Sequence, residues 1–233
     1  MAKCRAWVML EPQKMVMQEF EIPQVAEESA LLKVEACGIC GTDVSMFKGD
    51  IAYGSHVPGK IFGHEVTGTV EEIGSEVSRI CKNDRVIIAP VNYCGKCFFC
   101  LRGEENLCQN WTCIGEEIDG GYAQYLRVPE KQVFPLPSQI GFDEGTLLAD
   151  PLPTPLHAIR SKSNIKPGDV VALWGSGAQG FCALQIAKLA GATAFNNMTS
   201  SDESSRWILN FLDPLWLTMY AVVESTLAPP KVL

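Results

Sequence analysis

Four cysteines within fifteen residues form the first group whose types and spacing could do chemistry. They lie in the stretch CGKCFFCLRGEENLC, residues 94–108. A bacterial ferredoxin run would bring its fourth cysteine closer and place a proline after it, whereas here seven residues intervene and Gln109 follows. Four thiolates make the closed tetrahedral set that zinc favours, so we expect a structural metal site that shapes a loop and has no position open for chemistry. The predicted ligands are Cys94, Cys97, Cys100 and Cys108.

Two further residues are of types that suit a zinc ion with an open coordination position. Cys40 lies in CGICGTD, residues 37–43, and His64 lies in GHE, residues 63–65. A catalytic zinc takes about three protein ligands and leaves one position for water or substrate. Taken singly, buried thiols and packed histidines are common. The combination of motifs is what makes Cys40 and His64 candidates.

A glycine-rich stretch, GSGAQG at residues 175–180, fits the dinucleotide-binding pattern G-x-G-x-x-G. It directly follows an apolar run, 170–174, and opens a segment with helical spacing of apolar residues. In such a turn Gly175 permits the sharp bend, Gly177 lets the backbone approach a pyrophosphate, and Gly180 lets the helix pack closely on the strand. A merely tight structural turn is the alternative, but the strand, turn and helix context favours coenzyme binding.

Two segments with different predicted secondary structure position these residues. Up to about residue 150, short β-like runs such as HEVTGTVEEIG and DRVIIAPV alternate with glycine and proline, which predicts a β-rich, barrel-like or sandwich-like body. After it, a strand, a glycine turn and a helix form the first unit of a doubly wound fold. The predicted fold class is therefore α+β followed by α/β, with the boundary near residues 150–165.

Length and charge narrow the possible partners. With 233 residues the chain can form one large domain or two modest ones. The formal net charge of -8 and the lack of a basic stripe argue against nucleic acid and an anionic membrane surface, and they favour a small molecule. The apolar segment from Trp207 is interrupted by Asp213 and Pro214, so no membrane span is predicted. The opening MAKCRAWVMLEPQK lacks a secretory pattern, and we expect a cytoplasmic protein with reduced thiols.

In their order and separations, GICGTD, GHE, the four-cysteine lobe, ADPLPTPLHA and GSGAQG resemble the zinc-dependent medium-chain alcohol and polyol dehydrogenases. The resemblance covers residues 1 to about 193. It implies a chaperonin-10-like β-rich catalytic domain over 1–155, with the structural zinc lobe at 94–108, and a partial Rossmann domain that begins over 156–193. It also implies two zinc ions per chain, NAD or NADP as coenzyme, an alcohol or polyol substrate, and a homo-oligomer.

The resemblance assigns the catalytic metal ligands residue by residue. Cys40 and His64 match the first two, and Asp150 falls at the third position, which is Cys, Glu or Asp in different branches. Alcohol dehydrogenase itself is a known example with two cysteines and one histidine, so an aspartate makes the ligand set harder and leaves the substrate open. Glu65 matches a carboxylate beside the metal that competes with Asp150 as a ligand.

Three further positions acquire roles in the same way. Thr42 matches the hydroxyl that bonds the substrate oxygen and starts the proton relay, Asp43 the carboxylate that orients the zinc histidine, and Thr154 a residue close to the nicotinamide. Ser45 stands where some members carry a relay histidine. The implied reaction is loss of a proton from a zinc-activated alcohol through Thr42, with hydride transfer to the nicotinamide.

The family pattern ends near residue 194. A second strand ending in an acidic, ribose-binding residue about 20 positions past the glycines is expected, but the chain reads AFNNMTSSDESS, with Thr199 at that position and Asp202 and Glu203 in a serine-rich loop. We expect residues 194–233 to be an atypical tail of a truncated or alternatively ended chain in which the family's subunit interface is missing.

Two functional classes therefore stay open. One is an active zinc-dependent dehydrogenase, and the other is a catalytically inactive zinc-binding remnant of such an enzyme; coenzyme binding separates them. A zinc-ribbon interaction module built on 94–108 is disfavoured, because it leaves Cys40, His64 and the glycine turn unexplained.

Overall fold

The computed structural model of the chain describes residues 2–49, 59–175 and 177–197. The chain divides into two compact units, residues 1–149 and 150–233. None of the helices within the described ranges combines the length and the apolar character that a membrane-crossing helix needs.

The first unit is built from antiparallel strands. Its strands are β1 (Lys3–Glu11), β2 (Lys14–Glu21), β3 (Ser29–Gly38), β4 (Lys60–Ile61), β5 (Glu65–Ile73), β6 (Arg85–Ile88), β7 (Val91–Asn92), β8 (Thr112–Cys113), β9 (Tyr125–Pro129) and β10 (Val133–Pro135). One sheet has the order β2-β1-β4, a second has the order β10-β6-β5-β3-β9, and β7 pairs with β8.

Short helical segments connect the strands. In the first unit α1 (Gly41–Lys48) follows β3, and α2 (Phe142–Gly145) follows β10. Single 3-10 turns occur at Cys100–Arg102, Glu105–Leu107, Glu130–Gln132 and Thr146–Leu148.

The core of the first unit lies on one face of the five-stranded sheet. Leu32, Val66, Val86, Ile88 and Val128 are completely buried there, and they come from four different strands. Side chains alternate between the faces of a strand, so the runs of apolar residues at every second position supply this layer. Truncating Leu32 or Ile88 to alanine removes about 2–5 kcal/mol of stability in comparable cores.

One pairing in this sheet brings the candidate metal ligands together. Gly38, the last residue of β3, is opposite Glu65, the first residue of β5. Cys40 follows two residues after Gly38, and His64 immediately precedes Glu65. The register of β3 and β5 therefore places both candidate ligands at the same end of the sheet.

The second unit begins with α3 (Pro153–His157), which continues as a wider π-type turn over Ala158–Ser163. Strand β11 (Val170–Trp174), helix α4 (Ala178–Leu189) and strand β12 (Thr193–Asn197) follow, and the two strands pair in parallel. Ala183, Leu184, Ala187 and Ala194 form its buried core. Strand β11, helix α4 and strand β12 form a βαβ unit of the kind that begins a doubly wound domain.

The end of β12 falls in the segment that we expected to be atypical. Four residues of the expected tail, 194–197, continue this strand. The rest of that segment, including Thr199, Asp202 and Glu203, lies outside the described residues.

Candidate active site and metal centres

The four lobe cysteines converge on one point. Their ligand atoms all lie within 4.8 Å of one another. The Sγ atom of Cys100 is 3.5 Å from that of Cys97 and 3.9 Å from that of Cys94, and the Cys97 and Cys108 sulfurs are 3.9 Å apart. Four sulfurs about 2.3 Å from one zinc would be about 3.8 Å from each other. The cluster therefore has the dimensions of a tetrahedral zinc–thiolate site.

The lobe's backbone stabilises some thiolates but not all. The N–H groups of Cys100 and Gln109 lower the pKa of Cys97 to about 6. Burial, reinforced by the neighbouring thiols, instead raises the pKa of Cys100 to about 12. Cys97 therefore ionises more readily than Cys100 in the same cluster, chiefly because Cys100 is buried. A cation at the centre would stabilise the thiolate form of a buried cysteine such as Cys100, which fits the donor set to zinc.

The second cluster comprises Cys40, His64 and Glu65 in the first unit. Their ligand atoms lie within 4.8 Å of one another. Cys40 is the N-terminal capping residue of α1, while His64 and Glu65 lie at the start of β5. His64 and Glu65 are both buried. One sulfur, one imidazole nitrogen and one carboxylate oxygen form a donor set that zinc accepts.

Asp43 lies behind His64 on the first turn of α1. Both residues are only 4% exposed, and Oδ1 of Asp43 is 3.8 Å from Nδ1 of His64. Within the described residues, these two buried atoms have no hydrogen-bond partner. The other carboxylate oxygen, Oδ2, accepts the N–H of Cys40 at 2.8 Å. If the remaining gap closes, the Nδ1–H of His64 donates to Asp43 and the Nε2 lone pair is left for a metal.

Charges around His64 set its protonation. Burial by itself lowers the pKa of His64, but the thiol of Cys40 and then the carboxylates, Asp43 first, raise it to about 9. Burial raises the pKa of Asp43, whereas His64 and several donors lower it. The site thus concentrates negative charge around one histidine, which is an environment suited to a cation.

Two glycines make room for the ligand-bearing segments. A Cβ atom on Gly38 would lie 2.0 Å from Oε2 of Glu65, so the glutamate carboxylate packs directly on the glycine. A Cβ on Gly63 would lie 2.6 Å from Cδ1 of Tyr122, and Gly63 has a φ of +93°. Both positions exclude larger residues, and both adjoin the predicted ligands.

The remaining predicted catalytic and coenzyme-contacting residues lie in both units. Thr42 is half-buried on the first turn of α1. Asp150 and Thr154 belong to the second unit, where the Thr154 hydroxyl donates to Oδ1 of Asp150 at 2.9 Å and the Thr154 N–H donates to the Asp150 carbonyl. The roles of Thr42, Asp150 and Thr154 stay predictions.

The glycine turn connects β11 to α4. Gly175 follows the strand with a φ of +107°, and Gly177 is the N-terminal capping residue of α4. A Cβ on Gly180 would lie 2.1 Å from the Gly175 carbonyl oxygen, whereas no described atom lies within 4 Å of one on Gly177. Close packing at Gly180 and open space at Gly177 match the uses of these positions in dinucleotide turns. The N-terminus of a helix is in general suited to bind a pyrophosphate.

Tyr122 also contacts this site, and no sequence motif predicts that contact. Its hydroxyl donates to Oδ2 of Asp43 at 3.1 Å. Burial, and then the charge of Asp43, raises the pKa of Tyr122, so the phenol keeps its proton. The contact joins residues 79 positions apart, and no local spacing signals it.

Comparisons with known proteins agree with the motifs. Residues 26–138 match the family described as "Alcohol dehydrogenase GroES-like domain". A D-arabitol-phosphate dehydrogenase of Enterococcus avium is 33% identical over 180 residues, which are 77% of this chain and 50% of that protein. An alcohol dehydrogenase of Geobacillus stearothermophilus is 36% identical over 176 residues, 75% of this chain and 51% of that protein.

Solved structures of alcohol dehydrogenases are also similar to this chain. The structure of an NAD-dependent alcohol dehydrogenase superposes with a TM-score of 0.79 at 29% identity, covering 85% of this chain and 59% of that one. The chain spans about half the length of the curated relatives it matches. The predicted fold class, a chaperonin-10-like β-rich domain followed by a partial Rossmann domain, is confirmed. The chain belongs to the zinc-dependent medium-chain alcohol and polyol dehydrogenase family.

Proposed function

We propose that this chain carries the zinc-binding part and the start of the coenzyme-binding part of an oxidoreductase. The reaction is hydride transfer between an alcohol or polyol and NAD or NADP. The observation that carries the proposal is the cluster of Cys40, His64 and Glu65, backed by the buried carboxylate of Asp43. The four-cysteine cluster of the lobe and the dinucleotide-type turn at 175–180 support it.

Each residue has a separate task in this proposal. Cys40 and His64 would hold the catalytic zinc, and the resemblance assigns Asp150 as the third ligand and Glu65 as a carboxylate that competes with it. Zinc, when bound there, withdraws charge from an alcohol oxygen and lowers its pKa. Thr42 accepts the substrate proton and passes it outward, and Asp43 holds the imidazole of His64 in one orientation.

Gly175, Gly177 and Gly180 would hold the pyrophosphate of a bound coenzyme, and the resemblance assigns Thr154 a position close to the nicotinamide. The four lobe cysteines hold a second zinc that shapes the loop. Names of relatives such as D-arabitol-phosphate dehydrogenase and sorbitol dehydrogenase favour polyols as substrates. They also favour an active oxidoreductase over the zinc-binding remnant. A cytoplasmic location agrees with reduced thiols, and a homo-oligomer rests on the resemblance alone.

The test combines metal analysis, coenzyme binding and turnover on the purified 233-residue chain. We expect two zinc ions per chain, saturable NADH or NADPH binding by fluorescence, and oxidation of at least one alcohol or polyol in a panel.

Cys40→Ala and Cys97→Ala are the matched variants, because each removes one thiol from a different cluster. Cys40→Ala should abolish turnover with the lobe zinc retained, whereas Cys97→Ala should chiefly lower thermal stability. A folded, zinc-loaded chain that binds neither coenzyme would contradict the proposal and favour the remnant.

A further inference from the structure

Hydrogen bonds hold both the backbone and the side chain of Tyr122. The backbone N–H of Tyr122 donates to the Phe62 carbonyl at 2.9 Å, and the Tyr122 carbonyl accepts the N–H of Trp7 at 2.8 Å. Its hydroxyl lies 3.1 Å from Oδ2 of Asp43 and 3.3 Å from the carbonyl oxygen of Gly38. The tyrosine therefore links β1, the end of β3 and the first turn of α1.

The two carboxylate oxygens of Asp43 accept different numbers of hydrogen bonds, and the Tyr122 hydroxyl contributes to the difference. Oδ2 receives both the Tyr122 hydroxyl and the N–H of Cys40, whereas Oδ1 has no partner among the described residues and faces Nδ1 of His64 at 3.8 Å. A carboxylate is free to rotate about its last torsion unless its oxygens are bonded. Two donors from different segments hold Oδ2 in place, so Oδ1 is directed at the imidazole.

The ring of Tyr122 also contacts the segment that carries His64. A Cβ added to Gly63 would lie 2.6 Å and 2.7 Å from two carbons of this ring, which shows how closely the ring packs on Gly63. One side chain thus packs beside His64 through its ring and bonds Asp43 through its hydroxyl.

We propose that Tyr122 is a positioning residue for the zinc histidine. Its hydroxyl fixes the rotation of Asp43, and Oδ1 then accepts the Nδ1–H of His64. That hydrogen bond selects the tautomer with a free Nε2 lone pair, which is the one able to bind zinc. The inference rests on the zinc site of the proposed function and adds a residue to it.

The test is Tyr122→Phe in the full chain, because it keeps the ring against Gly63 and removes only the hydroxyl. With cobalt as the probe, the affinity of the site containing His64 should fall about tenfold, a loss typical of residues that orient metal ligands. The affinity of the four-cysteine site, measured in the same titration, should not change. Equal affinities of Tyr122→Phe and wild type at the His64 site would overturn the inference.

A spectroscopic readout separates positioning from general packing. The chain has three histidines, so nitrogen-15 NMR of histidine-labelled, metal-free protein can follow His64, assigned with a His64→Gln variant. The spectra are recorded above the His64 pKa of about 9, where the imidazole is neutral and has a defined tautomer. We expect the Nδ1–H tautomer in wild type and a mixture of tautomers in Tyr122→Phe. An unchanged His64 tautomer in Tyr122→Phe would refute the proposal.

A double-mutant cycle tests the route through Asp43. In an Asp43→Asn background, Tyr122→Phe should have little further effect on cobalt affinity, and strictly additive effects would contradict the proposal. Tyr125→Phe is the matched control, because Tyr125 is also half-buried but pairs with Lys33, five residues before Gly38 on β3. If wild type bound cobalt only at the four-cysteine site, the proposed function would fail and this inference with it.

Discussion

Replacing Gly63 with alanine should destabilise the first unit and remove zinc from the proposed site at His64, but not from the four-cysteine site. Gly63 has a φ of +93°, and an added Cβ would lie 2.6 Å from the Tyr122 ring and 2.7 Å from Sγ of Cys37. The left-handed backbone costs a non-glycine residue about 1–2 kcal/mol, and forcing a methyl group into a packed site costs about 1–3 kcal/mol more. We therefore expect a loss of roughly 2–5 kcal/mol in the free energy of unfolding of the first unit.

Gly59→Ala provides the control for backbone strain. Gly59 has the same φ of +93°, but no described atom lies within 4 Å of its added Cβ. Urea unfolding of both variants should show only the backbone term, about 1–2 kcal/mol, for Gly59→Ala. Metal analysis should show about one zinc lost from Gly63→Ala, because the clash moves the segment that carries His64. Equal destabilisation of the two variants, or full zinc content in Gly63→Ala, would refute the reasoning.

Three further predictions concern the lobe, the 3-10 turn at Glu130–Gln132 and the glycine turn at 175–180. Cys97→Ser should release the lobe zinc and lower the melting temperature without changing cobalt affinity at the His64 site; loss of both metals in the titration would contradict this. The N–H of Arg79 is the largest of the causes that hold the pKa of Glu130 below the usual 4.5. A carboxyl whose pKa falls on folding stabilises the fold above its unfolded pKa and loses that contribution as pH falls through the folded pKa. The stability difference between wild type and Glu130→Gln, from urea unfolding at pH 7 and pH 3, should therefore shrink at pH 3, and a constant difference would exclude the effect. Gly180→Ala should weaken NADH binding by about tenfold, or about 1.4 kcal/mol, because its Cβ would meet the Gly175 carbonyl oxygen; unchanged binding by fluorescence would show that the turn tolerates the methyl group.

Local spacing made much of the site predictable. The four lobe cysteines lie close together in the chain, so their spacing alone indicates a shared metal. The turn at 175–180 also carries its own context, because the strand before it and the helix after it are adjacent in sequence. Such signals need no knowledge of which distant segments pack together.

Contacts between distant segments were not predictable in the same way. Tyr122 reaches Asp43, and Glu65 packs on Gly38, only because antiparallel pairing brings these segments to one end of a sheet. Strand β12 was also missed, since its asparagines have low β propensity. Parallel pairing of all five of its residues with β11 outweighs that preference.

The four-cysteine lobe differs from an ordinary small fold in which side chains lie at its centre and which are exposed. Its sulfurs point to the centre, whereas the large apolar side chains of Phe98, Leu101 and Leu107 are exposed. A segment held together by burial has many packed positions, and most changes to them are costly. With the proposed zinc in place, stability would depend mainly on the four thiols and the chain lengths between them, so substitutions of the intervening side chains should cost little.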